Sequence, residues 1–113
     1  MTIEGIAPDL AARRVIVAAY CYYVLDHPIM SDGEYDQLSA YVADHWDELE
    51  PIRRWQLGNP ADTRAGGSHI KYTTYSVCAA RRKLVDAGVE LRAPFPSRWR
   101  DTKRFGRYVT AVA

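Results

Sequence analysis

Apolar residues recur along the first quarter of the chain at the spacing of a helix. The recurring positions are Leu10, Val17, Cys21 and Val24, with a neighbouring row at Ile16, Ala19 and Tyr23. Pro8 and Asp9 suit a first helical turn. The residue before Pro28 is disfavoured in the α conformation, so the helix should end there. The pattern predicts a first helix over residues 9–26.

A second helix has a clear start in the sequence. Residues 31–34, SDGE, form a capping box in which Ser31 and Glu34 satisfy each other's backbone amides. Apolar residues then follow at three- and four-residue steps, at Tyr35, Leu38, Val42, Trp46 and Leu49. This predicts a helix over residues 32–50, ending near Pro51. With only residues 27–30 between the two helices, they should fold back as an antiparallel hairpin.

The pattern weakens after the hairpin. Residues 57–69 are rich in Gly, Pro, Asn, Asp and Ser, and are predicted to form a loop. Thr73 or Thr74 can cap a third helix over residues 74–87, with Gly88 following its end. Prolines interrupt the next stretch, and residues 105–112 suit either a strand or a short helix. The fold class is therefore mainly α, with an irregular or short β C-terminal segment.

The charge is unevenly divided along the 113 residues. Residues 1–70 hold five basic and eleven acidic side chains, whereas residues 71–113 hold ten basic and three acidic ones. We therefore divide the chain into a helical hairpin module, 1–70, and a basic C-terminal helix and tail, 71–113, packed on it as one domain. The split indicates either a patch that faces an anion or an attraction between the two parts.

The composition narrows the class of protein. Hydrophobic residues make up 48% of the chain and charged residues 26%, as in ordinary globular proteins. We expect no membrane span, because no apolar run is long enough, and no secretory signal, so a cytoplasmic location is expected. Cys21 and Cys78 are interpreted as reduced thiols, and the three histidines are scattered, so no metal site is predicted. No nucleophilic catalytic pattern is present.

One run of residues follows an ordered pattern. Residues 19–38, AYCYYVLDHPIMSDGEYDQL, contain a tyrosine-rich helix end, then D-x-P, then S-D-x-E-Y-D-x-L. The run resembles the N-terminal Ia module of bacterial NAD-dependent DNA ligases. Residues 61–67, ADTRAGG, are similar to the family's S-P-T-x-x-V-G-G linker. The resemblance covers residues 18–67, and the positions that carry it are Asp26, Pro28, Ser31, Asp32, Glu34, Tyr35, Asp36 and Leu38.

The resemblance implies a ligand. In the family, this module closes over the nicotinamide mononucleotide half of NAD, so NAD or nicotinamide mononucleotide is the expected cofactor. The positions that match the ligand contacts are Tyr22, Asp32, Tyr35 and Asp36, and Tyr23 stands where the family usually has histidine. Carboxylates can accept hydrogen bonds from ribose hydroxyls, and tyrosine rings can stack on the cationic ring. Alternatively, the tyrosines only pack the hairpin and the carboxylates only favour a helix N-terminus.

The catalytic half of the ligase family is missing. Ligases form lysine–AMP at a K-x-D-G motif, but the lysines here, Lys71, Lys83 and Lys103, stand in KYTT, KLVD and KRFG. The chain therefore cannot seal DNA alone, and we interpret it as non-catalytic. It would recognise the nucleotide as part of a split or mimicked ligase.

A second hypothesis concerns the basic C-terminal third. It describes a small adaptor or inhibitor, of the kind phages encode, that binds a ligase-like or host protein or a nucleic acid. Alternating basic and aromatic side chains suit phosphates and exposed bases. The candidate residues are Arg81, Arg82, Lys83, Arg98, Trp99, Arg100, Lys103, Arg104 and Arg107. The plainer interpretation is a solvated basic tail folded onto the acidic hairpin.

Overall fold

The computed structural model describes residues 5–89 and 109–110. Within them the fold is mainly helical, as predicted. The helices are α1 (Pro8–Tyr23), α2 (Asp32–Asp44), α3 (Pro51–Leu57), α4 (Pro60–Ala65) and α5 (Thr74–Asp86). Two short strands, β1 (Tyr72–Thr73) and β2 (Val109–Thr110), pair in parallel, with Tyr72 opposite Val109. The strand β2 lies within residues 105–112, for which the sequence left strand or helix open, whereas β1 was not predicted. The predicted features of residues 90–108 lie outside the described part of the chain.

The first helix ends three residues earlier than predicted. Asp26 adopts a left-handed conformation with φ 57°, and the His27 amide donates to the Cys21 carbonyl at 2.8 Å. The chain therefore leaves the helix through the left-handed residue Asp26, before it reaches His27, whose helical conformation Pro28 disfavours. The hairpin of α1 and α2 is confirmed.

The second predicted helix, residues 32–50, is divided into two parts. The α2 helix ends at Asp44, and the next residue, His45, caps it: the His45 amide donates to the Tyr41 carbonyl at 3.1 Å and the ring Nδ1 lies 2.8 Å from the same oxygen. One turn of 3₁₀ helix, Trp46–Glu48, follows before α3 begins at Pro51. The prediction of a single helix over residues 32–50 is wrong in its second half, because Trp46 and Leu49 keep helical spacing across an interrupted backbone.

The predicted loop over residues 57–69 contains the short helix α4. The Asn59 side chain accepts a hydrogen bond from the Asp62 amide at 2.8 Å, and Pro60 occupies the first helical position. The Asn and Pro residues that indicated a loop are therefore the cap and first residue of a helix. Gly58, with φ 88°, separates this helix from α3.

The third predicted helix is confirmed as α5. The Thr73 hydroxyl accepts from the Ser76 amide at 3.2 Å and caps its start. At its end Gly88 is left-handed, while the amides of Gly88 and Val89 donate to the carbonyls of Val85 and Leu84. This is a Schellman end, with the glycine at the position that was predicted.

The core is built around α1, which packs against α2, α3 and α5. Tyr20 is fully buried and meets Tyr72 edge-to-face, with ring centroids 4.8 Å apart. The largest buried apolar side chains come from all parts of the fold, at Ile16, Tyr20, Leu38, Leu57, Ile70, Tyr72 and Leu84. The exposed part of α1 borders three cavities, which are described below.

Candidate functional site

The five residues predicted to bind a nucleotide surround one cavity. It has a volume of about 280 Å³ and lies where the α1–α2 connection meets the end of α4. The predicted residues on its wall are Tyr22, Tyr23, Asp32, Tyr35 and Asp36. The sequence did not identify the other wall residues, which are small or apolar: Ala18, Pro28, Ile29, Met30, Ala65 and Gly66. Pro28 and the pair Gly66-Gly67 belong to the ligase-like motifs, but proline and glycine do not by themselves indicate a binding site.

Tyr22 and Tyr23 form an open aromatic corner at the end of α1. Their rings meet edge-to-face with centroids 4.8 Å apart, and they are 49% and 48% exposed. Edge-to-face pairing holds each ring against the other while it leaves ring surface available to a ligand. Tyr20, by contrast, belongs to the core and does not line the cavity.

Tyr35 contributes its ring to the cavity but not its hydroxyl. Burial raises the pKa of Tyr35 to about 12, and the neighbouring Ser39 hydroxyl offsets a part of this rise. The two hydroxyl oxygens nevertheless do not reach hydrogen-bond geometry, and neither is paired with any other described residue. A methyl group at Gly67 would overlap the Tyr35 hydroxyl, so this oxygen lies under the glycine backbone.

Asp32 and Asp36 occupy the first two turns of α2, where the capping box fixes the backbone. The Ser31 hydroxyl accepts from the Glu34 amide at 3.1 Å, and the Ser31 amide donates to Glu34 Oε1 at 3.2 Å. These bonds lower the pKa of Glu34 below its usual value. Asp32 and Asp36 are exposed and make no hydrogen bond or ion pair with another described residue.

The cavity carries negative charge only on its described wall, at Asp32 and Asp36, and we call it the acidic cavity. Two carboxylates lie on its wall, and none of its described wall residues is Lys, Arg or His. The amides at the start of α2 partly stabilise the two negative charges through the helix dipole. With three tyrosine rings beside them, the carboxylates provide an environment that favours a cationic, partly aromatic ligand.

The predicted basic run on α5 does not form a single surface. Arg81 is half-buried, and its charge opposes the rise in the pKa of Tyr20, which burial takes to about 12. Arg82 forms an exposed ion pair with Asp86 at 3.2 Å, whereas Lys83 borders a separate cavity. The remaining predicted contacts lie outside the described residues: Arg98, Trp99, Arg100, Lys103, Arg104 and Arg107.

Comparisons with other proteins identify no relative. No protein-family model, curated protein or solved structure matches this chain. Among residues 5–89 and 109–110, no group of three His, Cys, Asp or Glu side chains is placed to hold a metal ion. No helix in that same part of the chain has both the length and the apolar character needed to cross a bilayer.

Proposed function

We propose that this protein recognises NAD or nicotinamide mononucleotide without catalysing a reaction on it. The observation that carries the proposal is the cavity itself, where, among the residues the structure describes, three tyrosines meet two unpaired carboxylates and no basic side chain lies on the wall. The ordered likeness to the ligase Ia module supports the same ligand, because the positions matched to the family's ligand contacts, Tyr22, Asp32, Tyr35 and Asp36, lie on this wall.

The cavity suits the nicotinamide ribose half of the ligand. Sites for drug-sized molecules usually have volumes of about 300–1,000 Å³, and this one has about 280 Å³. Asp32 or Asp36 would accept hydrogen bonds from ribose hydroxyls, and Tyr22 or Tyr23 would lie against the pyridinium ring. The adenylate half of NAD would extend beyond the cavity.

The chemistry that uses the nucleotide would belong to another polypeptide. Lys71, Lys83 and Lys103 do not stand in a K-x-D-G motif, so we propose no lysine–AMP intermediate for this chain. In a split ligase this protein would supply the nicotinamide side of the site. As a mimic it would compete for the same partner.

A second candidate function is an adaptor or inhibitor that binds a protein or nucleic acid through its basic aromatic C-terminal third. The ten basic against three acidic side chains of residues 71–113 favour an anionic partner. This candidate does not exclude nucleotide recognition, because the two functions use different residues.

Isothermal titration calorimetry with NAD and nicotinamide mononucleotide tests the proposal. We expect both ligands to bind, and Asp36→Ala to weaken them about tenfold through loss of a charged acceptor. Asp47→Ala is the matched control, because it removes an exposed carboxylate that does not border the cavity. Absence of heat at millimolar ligand, with the protein folded by circular dichroism, would reject the proposal.

A further inference from the structure

A groove runs along the side of α1 that faces α5. Two adjoining cavities of about 490 and 480 Å³ form it, and they share Arg13, Val17 and Ala79 as wall residues. One cavity adds Arg53 and the other adds Arg14 and Lys83. We call the surface defined by Arg13, Arg14, Arg53 and Lys83 the basic groove.

The basic groove has an excess of positive charge. Asp9 is shared, with a carboxylate oxygen 3.3 Å from Arg13 Nε and 3.7 Å from Arg53 Nε. Glu34 borders the groove but is engaged in the α2 capping box. Arg14 and Lys83 are exposed and have no ion-pair partner among the described residues. The groove therefore keeps cationic groups available for an anion.

Arg53 is the most buried cation of the groove. Its side chain is only 16% exposed, and burial lowers its pKa. Nη1 donates to Gln56 Oε1 at 3.0 Å, while Nε is buried and has no acceptor within hydrogen-bond distance in the described part of the chain. Asp9 Oδ2 lies 3.7 Å from this Nε as its ion-pair partner, so Arg53 adds positive charge to the groove while Arg14 and Lys83 are the cations exposed to a ligand.

An exposed aromatic side chain borders the groove. Tyr75, on the first turn of α5, is 70% exposed and lines the same cavity as Arg13 and Arg53. Lys83 lies eight residues further along α5, which places the two Cα atoms about 12 Å apart. The groove therefore has a ring at one end and cations along its length.

We propose that the basic groove binds single-stranded nucleic acid. Phosphates would contact Arg13, Arg14 and Lys83, and an unstacked base would lie on Tyr75. Three of the four cations are arginines, whose planar fork pairs with phosphate in a bidentate manner. Polyglutamate would use the same cations but has no aromatic ring to stack on Tyr75. The inference does not rest on the nucleotide proposal, because the acidic cavity and the groove have no charged residue in common.

Fluorescence anisotropy of the full chain with labelled oligothymidylate tests this inference. We expect binding at low salt, and a loss of about tenfold or more in the double variant Arg14→Ala/Lys83→Ala. Its salt dependence should also be shallower, by a slope of about 0.7 for each phosphate contact removed. Tyr75→Ala should weaken binding while the salt slope stays unchanged, because stacking releases no counterion.

The matched control is Arg54→Ala/Arg64→Ala, which removes two positive charges that border neither cavity of the groove. We expect this variant to bind as the wild type does. Three results would overturn the inference: no binding at low salt, equal losses in the two double variants, or tighter binding of polyglutamate than of oligothymidylate. The charged variant side chains all lie on helices and none belongs to the buried core, so circular dichroism should show that each protein remains folded.

Discussion

The Tyr35 hydroxyl lies against the backbone of Gly67, where no side chain can be accommodated. A Cβ atom at residue 67 would overlap that hydroxyl and would also lie 3.1 Å from the Tyr23 ring and 3.2 Å from Ala19 Cβ. The contact joins α2 to the segment that follows α4, and it brings Tyr23 and Tyr35 to the same glycine. One close approach thus fixes two of the three rings on the cavity wall.

We predict that Gly67→Ala destabilises the protein by about 1–3 kcal/mol, because the buried site cannot accept a methyl group without displacing Tyr35. Urea unfolding measures this change in the free energy of unfolding. Gly33→Ala is the control, since its methyl group would meet nothing within 4 Å and helix propensity favours alanine. Equal stabilities for the two variants would show that the contact with Tyr35 is absent.

Tyr35→Phe should leave stability unchanged or raise it by up to about 1 kcal/mol, because the hydroxyl it removes is buried without a partner. It should also restore part of the stability lost in Gly67→Ala, since it removes the overlapping oxygen. A double-mutant cycle by urea unfolding gives this coupling. A Tyr35→Phe variant that is clearly less stable than the wild type would instead indicate a formed hydrogen bond with Ser39.

The free energy of unfolding above pH 10 should depend on the buried tyrosines. Burial raises the pKa values of Tyr20 and Tyr35 from 10.0 to about 12. Between these values the unfolded chain releases protons that the folded chain retains, so the free energy of unfolding falls as pH rises from 10 to 12. The Cys21 thiol, with its pKa raised to about 11, extends this loss to lower pH.

Chemical unfolding at several pH values measures this dependence, and Tyr35→Phe should make the decline between pH 10 and 12 shallower. Tyr75→Phe is the control, because Tyr75 is exposed and does not belong to the core. A decline of the same steepness in the wild type and Tyr35→Phe would contradict the assignment of Tyr35 as buried.

Much of the fold could be predicted from local sequence chemistry. The Ser31 capping box, the Thr73 cap and Gly88 each act through bonds to residues within five positions, so the sequence contains the whole interaction. The end of α2 was missed although the contact of His45 with the Tyr41 carbonyl also spans only four positions, because Trp46 and Leu49 continue the apolar spacing beyond it. The Gly, Pro and Asn residues of segment 57–69 are equally compatible with a loop and with a short capped helix, so composition could not distinguish the two.

The site was predictable only in part, for a different reason. Tyr22, Asp32 and Asp36 lie close in sequence to the hairpin bend, so an ordered motif was enough to group them. Gly67 acts through a contact with Tyr35, which is 32 positions away along the chain, and no local pattern contains it. The basic groove likewise combines residues of α1, α3 and α5, so it emerged only when those helices were packed.

Ser31 should act as a positioning residue for the two carboxylates. We predict that Ser31→Ala costs about 0.5–2 kcal/mol of stability through loss of the cap, and that it weakens nicotinamide mononucleotide binding because the first turn of α2 frays. Ser31→Thr should restore both properties, since threonine also caps helices. Thermal unfolding and calorimetry on the same samples measure the pair of effects. Unchanged affinity in Ser31→Ala, despite lower stability, would exclude the positioning role.

The preference of the acidic cavity for a cation is tested most directly with two ligands that differ in the charge of the nicotinamide ring. Calorimetry should compare oxidised with reduced nicotinamide mononucleotide under identical buffer and salt. Since the carboxylates are exposed, we predict tighter binding of the oxidised form by only about three- to tenfold, and a loss of that difference in Asp32→Ala/Asp36→Ala. Equal affinity for the two forms in the wild type, or tighter binding of the reduced form, would contradict the proposed recognition.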